Sequence, residues 1–136
     1  MRVVLDTNVL FSALLSPHGL ADTIYRAWRA RHFELVTSSI QLEEMRHASR
    51  YPKFKAVLQP HRVGAMINHL QHALILENLS ISAEINDPND AFLLAMAEQG
   101  NANYLVTGDR RAGLLQLGSF GHTRIVTPSK FCKECL

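Results

Sequence analysis

Short runs of consecutive apolar residues alternate along this chain with longer segments of helical periodicity. The run from Val3 to Leu5 lacks the period-two pattern of a half-exposed strand and is typical of a strand buried on both faces of a parallel sheet. The pattern predicts a first strand ending at Asp6, with further strands over residues 33–38, 102–109 and 123–128. It predicts helices over residues 9–15, 20–32, 39–54, 60–78 (with a weak strand at its end) and 89–101, and a last helix at the C-terminus.

Helix-breaking residues separate these segments. Pro17 and Gly19 end the first helix, Pro52 stops the third, and Gly100 follows the helix of residues 89–101. Strands that alternate with helices of this length require crossover connections and a parallel sheet covered on both faces. The sequence therefore predicts a three-layer α/β/α domain with a central parallel sheet.

The length and composition suit one globular domain, residues 1–136. The chain is 47% hydrophobic and 19% charged, as expected of an ordinary soluble domain. No apolar run approaches the roughly 20 residues of a membrane span, and the N-terminus lacks the layout of a signal peptide. We therefore expect a cytoplasmic protein. A formal charge of +2 is too small to indicate nucleic-acid binding by itself.

Several carboxylates are predicted to converge on one edge of the sheet. Asp6 and Asp109 each follow an apolar strand, and ligands of open α/β sheets bind at the carboxyl ends of the strands. Asp90 begins the helix that precedes the second of these strands, although it could also be a plain helix cap. Glu43 and Glu44 lie in the helix after residues 33–38, and only one of the two can face the cleft, because neighbouring helical residues point about 100° apart.

Such a cluster of acids requires a counter-charge. Two unit charges 4 Å apart repel by about 4 kcal/mol at an effective dielectric constant near 20. Oxygen ligands in a partly hydrated site suit a hard divalent ion, Mg²⁺ or Mn²⁺. Ions held in this way promote the hydrolysis of phosphodiesters by activating water and neutralising charge on the phosphate.

The order and spacing of four segments resemble the PIN-domain family. They are "VVLDTNVLFSALLSP", "TSSIQLEEMRHASRYPKF", "NDPNDAFLLAMAEQGNANYLVTGD" and "RIVTPSKF", which together span nearly the whole chain. Within this family the chain resembles the small stand-alone PIN domains that act as toxins of bacterial and archaeal toxin-antitoxin pairs, the VapC ribonucleases. This resemblance implies a metal-dependent ribonuclease.

The resemblance also implies roles for individual residues. Asp6 would be the first metal ligand, and Asn8 would shape the same loop. The family's glutamate lies eight residues before a proline, which selects Glu44, ahead of Pro52, over Glu43. Two further acids complete the implied ligand set: Asp90 and Asp109.

Other positions near these acids carry weaker expectations. Thr107, in "TGD", is a candidate supporting hydroxyl, and Asp87 is either an auxiliary acid or a simple Asp-Pro turn. Family members often carry another acid after "TGD", whereas this chain has "RRAG", which leaves a second metal site open.

The implied substrate is RNA, cut in line by a metal-activated water to leave a 5′-phosphate and a 3′-hydroxyl. Four arginines are candidate phosphate contacts: Arg110, Arg111, Arg46 and Arg50. The family also implies a homodimer and a cognate antitoxin whose C-terminal segment fills the acidic cleft.

The sequence also allows two other interpretations. A PIN module that is catalytically weak would bind RNA or a partner without cleaving, and a receiver-like domain would use an aspartyl nucleophile. Cys132 and Cys135 have the spacing of a zinc or redox pair but lack further ligands, so two thiols on a terminal helix are the simpler interpretation. His69 and His72 are similarly short of a third ligand.

Overall fold

A mostly parallel six-stranded sheet forms the centre of the computed structural model, which describes residues 1–82, 84–85, 87–108 and 113–136. The strands are β1 (Arg2–Leu5), β2 (Glu34–Ser38), β3 (Leu74–Leu76), β4 (Tyr104–Val106), β5 (Ser119–Phe120) and β6 (Thr123–Val126). Their order is β3-β2-β1-β4-β6-β5, and every pairing is parallel except that of β5 with β6. The predicted central parallel sheet is confirmed, with a short antiparallel strand added at one edge.

Helices cover both faces of this sheet. They are α1 (Thr7–Leu15), α2 (Leu20–Arg29), α3 (Ser39–Ala48), α4 (Pro52–Lys55), α5 (Pro60–Leu70), α6 (Pro88–Gln99), α7 (Leu114–Leu117) and α8 (Pro128–Cys135). None of the helices in the described ranges combines the length and the apolar character that a membrane span requires.

The alternating side chains of the strands divide the core into two layers. Val3 and Leu5 pack with the helices on one face, while Val4 and its neighbours on adjacent strands pack against α6 on the other. Eight consecutive residues of α6, from Asp90 to Ala97, are buried, so this helix is enclosed on nearly all sides. At Gly100, the residue after α6, the backbone lies so near the sheet that an added Cβ would be 2.6 Å from a methyl group of Val36.

Two predicted helices end a turn or more before their predicted ends at residues 54 and 78, whereas the helices predicted over 20–32 and 89–101 end only two or three residues early. The helix predicted over residues 39–54 ends at Ala48, because Tyr51 adopts an extended conformation (φ −66°, ψ 142°) before Pro52, and α4 begins anew at the proline. The helix predicted over 60–78 ends at Leu70, and the weak strand expected after it is β3. The short elements α7 and β5 had no clear sequence signal.

Candidate metal and nucleic-acid site

The centre of the candidate site is Asp6, immediately after β1. Because β1 and β4 are parallel with Leu5 opposite Val106, the residues that follow them, Asp6 and Thr107, are neighbours. The backbone N–H of Asp6 donates to the Val106 carbonyl at 2.9 Å, and the Thr107 hydroxyl donates to Asp6 Oδ2 at 2.8 Å. Both side chains are buried, so the carboxylate is held in one orientation at the carboxyl edge of the sheet.

The start of α1 also holds Asp6 in place. Its Oδ1 accepts a hydrogen bond from the backbone N–H of Asn8 at 3.3 Å, and its carbonyl accepts from Val9 and Leu10. Asp6 is thus the N-cap of α1, where the positive end of the helix dipole favours a negative charge. Asn8 contributes its backbone to this turn while its side chain is exposed.

The two glutamates of α3 point in different directions. Glu43 is exposed and forms ion pairs with Arg46 at 3.0 Å and with His47 at 3.4 Å. Glu44 is half-buried and interacts with Thr7 and Asp6. The structure therefore brings Glu44, and not Glu43, toward the carboxylate at the end of β1.

The environment of Glu44 disfavours its charged form. Burial raises the pKa of the Glu44 carboxyl above its ordinary value, the side chain of Thr7 partly offsets this, and the charge of Asp6 raises the pKa further. Two carboxylates that share a partly desolvated space produce this effect. A cation placed between them would reverse it, because opposite charge favours ionisation.

A buried glutamine supports this part of the site. Gln41 is 1% exposed, and its Nε2 donates to the Leu5 carbonyl at 2.8 Å and to the Thr7 hydroxyl at 3.3 Å. Its Oε1 accepts from the Thr37 hydroxyl at 2.6 Å. Gln41 thereby links α3 to the ends of β1 and β2. It also contacts Thr7, the residue whose side chain interacts with Glu44.

Sequence reasoning missed Gln41 and Thr7. A signal for the glutamine was present, since Gln41 lies three residues before Glu44 and therefore on the same side of α3. A polar residue on the side of α3 that carries Glu44 faces the interior of the domain, as the buried side chain of Gln41 does.

Asp90 and Asp87 lie at the start of α6, which begins at the same edge of the sheet. The Oδ1 atom of Asp87 accepts hydrogen bonds from the backbone N–H groups of Asn89 at 2.9 Å and Asp90 at 3.2 Å. Asp87 is therefore the N-cap of α6. This agrees with the interpretation of Asp87 as an Asp-Pro turn, and its auxiliary metal role stays a prediction. Asp90 is not the cap and is buried in the first turn.

The donor set of this edge fits a hard divalent cation. Carboxylate and hydroxyl oxygens are the ligands that Mg²⁺ and Mn²⁺ prefer, and the mutual effect of Asp6 and Glu44 is one that a cation would relieve. Within the described part of the chain, no three His, Cys, Asp or Glu side chains are grouped closely enough to hold an ion. The predicted ligand Asp109 lies outside the described residues.

The sequence matches the family model of the PIN domain over residues 2–111. The chain belongs to the PIN-domain family. Its fold is similar to that in the crystal structure of VapBC2 from Rickettsia felis bound to a DNA fragment from their promoter, with 19% identity and a TM-score of 0.59. That match covers 93% of this chain and 98% of the other. No curated protein sequence matches the chain. The expected family and three-layer fold are confirmed.

The candidate phosphate contacts of this PIN domain are only partly described. Arg46 lies on the exposed side of α3 and pairs with Glu43, and Arg50 is exposed just beyond the end of the helix. Arg110 and Arg111 lie outside the described residues. The roles of all four arginines stay predictions.

Proposed function

We propose that this PIN-domain protein is a metal-dependent endoribonuclease and the toxin of a type II toxin-antitoxin pair. The observation that carries the proposal is the placement of Asp6. Its carboxylate is buried at the carboxyl end of a central strand, fixed by the Thr107 hydroxyl, and close enough to Glu44 to raise the pKa of that side chain. A carboxyl whose pKa is raised by burial and by a neighbouring carboxylate is a candidate for a functional site.

The proposed ligands of Mg²⁺ or Mn²⁺ are Asp6, Glu44, Asp90 and Asp109. When bound, the ion would activate water and neutralise charge on the scissile phosphodiester. Thr107 keeps one oxygen of Asp6 in a fixed direction, and the first turn of α1 fixes the other. Because these contacts hold the Asp6 carboxylate before any substrate arrives, this ligand would need little reorganisation during the reaction.

The RNA substrate is proposed from the resemblance of the four sequence segments to the VapC ribonucleases, and the antitoxin partner from the structural relative. A structural relative is described in a VapBC2 complex, and we extend a cognate antitoxin to this chain on that basis. We propose that the antitoxin's C-terminal segment fills the acidic edge and that the protein is a cytoplasmic homodimer. Arg110, Arg111, Arg46 and Arg50 would contact the RNA backbone.

Cleavage of RNA by the purified protein tests this function. The protein is freed of metal with EDTA, and cleavage of a defined RNA is followed with and without Mn²⁺. We expect Mn²⁺-dependent products carrying a 5′-phosphate and a 3′-hydroxyl. Asp6→Asn and Glu44→Gln should each lower the rate by at least about 100-fold, the size of effect typical when one charge-stabilising group is removed.

Glu43→Gln is the matched control, because it is the same substitution one position away in the chain, on the exposed side of α3. It should cleave like the wild type. RNA binding without cleavage in Mn²⁺ would contradict a nuclease and favour the catalytically weak PIN module. Equal rates for the Glu44 and Glu43 variants would remove Glu44 from the site.

A further inference from the structure

A second concave surface lies at the opposite edge of the sheet from Asp6. It is formed where β1, β2 and β3 begin, together with the last turns of α2 and α5. The cleft has a volume of about 900 Å³. This volume is within the range of small-molecule sites, about 300–1,000 Å³, and is much larger than a single small ion needs.

Nitrogen donors dominate the polar part of this cleft. They belong to two arginines and three histidines: Arg29, Arg31, His32, His69 and His72. The carboxylate of the lining belongs to Glu34, whose Oε2 lies 3.3 Å from Arg2 Nε in an ion pair. The lining therefore carries a net positive charge even when its histidines are neutral.

The contacts of His69 determine which of its ring nitrogens can donate. Its Nδ1 lies 2.6 Å from Arg29 Nη1 and 2.9 Å from the Tyr25 hydroxyl. A guanidinium can only donate, so Nδ1 is an acceptor and the ring hydrogen is on Nε2. Burial, followed by the charges of Arg29 and His72, lowers the pKa of His69 and favours this neutral form. His69 is thus an oriented N–H donor beside a fixed cation.

The ends of α2 and α5 oppose anion binding, but only weakly. Each helix C-terminus carries a partial charge of roughly −0.5. At α2, the carbonyls of Trp28 and Ala27 already accept hydrogen bonds from the backbone N–H groups of Arg31 and His32. The full positive charges of Arg29 and Arg31 exceed the partial negative charge that remains at these helix ends. The cleft therefore favours an anion.

The other part of the cleft is apolar. Met1 and Leu74 are 47% and 37% exposed, and both belong to the lining. Trp28, Phe33 and Leu35 form its buried floor. A ligand with both a negative group and an organic body matches this division.

We propose that this cleft binds an organic phosphate of nucleotide size. The phosphate would lie among Arg29, Arg31 and His69, and the organic part would contact Met1 and Leu74. Guanidinium and imidazole N–H groups are strong donors to phosphate oxygens, and arginine matches their geometry. This proposal does not rest on the nuclease, because the cleft lies at the other edge of the sheet.

Calorimetric titration of the full chain tests the ligand class. The probes are 5′-AMP, inorganic phosphate and adenosine, all in EDTA so that no metal ion can bring a phosphate to Asp6 and Glu44. We expect AMP to bind at least about tenfold more tightly than either of the other probes, as a charge-assisted phosphate contact combined with apolar burial requires. Adenosine or inorganic phosphate binding as tightly as AMP would overturn the proposal, as would the absence of AMP binding at millimolar concentration.

Arg31 provides an informative variant, because its φ of 66° is a left-handed conformation that glycine adopts without penalty. Arg31→Gly should keep or raise the melting temperature while weakening AMP binding by about tenfold, the effect of losing one charge-assisted contact. Arg62→Ala is the control, since Arg62 is exposed in the first turn of α5, at the opposite end of that helix from His69. It should leave the affinity unchanged. Equal losses in the two variants, or no loss in Arg31→Gly, would contradict the proposed site.

Discussion

Replacing Gln41 by methionine should destabilise the protein strongly, although the two side chains have nearly the same shape. The change removes the donor to the Leu5 carbonyl and to the Thr7 hydroxyl, and it removes the acceptor for Thr37. All of these groups are in a region that water does not reach, since Gln41 is 1% exposed and Thr37 is 0% exposed.

The magnitude follows from the groups that lose their partners. A buried polar group left without a hydrogen bond costs about 1–3 kcal/mol, and Gln41→Met affects at least the Leu5 carbonyl and the Thr37 hydroxyl. Some of this cost is recovered because methionine itself is more easily desolvated than glutamine. We therefore expect a loss of about 2–4 kcal/mol in the free energy of unfolding.

Urea denaturation followed by circular dichroism measures this loss, with Gln116→Met as the control for an exposed glutamine. The control should change the free energy of unfolding by less than about 0.5 kcal/mol. Thr37→Val, made alone and together with Gln41→Met, completes a double-mutant cycle. A loss below about 0.5 kcal/mol for Gln41→Met would mean that the hydrogen bonds of Gln41 contribute nothing to stability and would contradict this prediction.

Further predictions concern the pH dependence, the packing of α6 and the two thiols. The raised pKa of Glu44 means that its ionisation destabilises the fold, so in EDTA the Glu44→Gln variant should gain stability over the wild type as pH rises through and above the ordinary carboxyl range; a constant difference in thermal melts would contradict this. Gly100→Ala should lose about 1–3 kcal/mol in urea denaturation, because its Cβ would meet Val36, and unchanged stability would show that the contact is relaxed. Burial, followed by the charge of Cys135, raises the pKa of Cys132, so mass spectrometry should show Cys132 alkylated more slowly near neutral pH than in alkali; a rate independent of pH would contradict this.

The parts of the fold that depend on strong periodicity were predictable from the sequence. The apolar runs before Asp6 and Thr107 became neighbouring parallel strands, and this pairing alone placed the two side chains together. Glu44 was selected over Glu43 by its place in a family pattern, and the structure brings it toward Asp6. A helix of about 100° per residue cannot turn both glutamates the same way.

Other features depend on tertiary contacts that a periodic pattern does not encode. The elements α7 and β5 are four and two residues long, and β5 forms only by antiparallel pairing with β6. That Asp87 caps α6 depends on the backbone geometry at the start of this helix, and its auxiliary metal role stays a prediction. The cleft lined by Arg31 and His69 joins residues that are far apart in sequence, so no local motif indicated it.

Direct titration of Mn²⁺ into the metal-free protein tests whether Asp6 and Glu44 share a divalent cation. Calorimetry on the wild type, Glu44→Gln and Glu43→Gln separates the two neighbouring glutamates without depending on any RNA substrate. We predict saturable binding to the wild type, the same affinity in Glu43→Gln, and an affinity at least about tenfold weaker in Glu44→Gln, equivalent to about 1.4 kcal/mol. Equal Mn²⁺ affinity in all three proteins, or no binding to the wild type, would contradict this prediction.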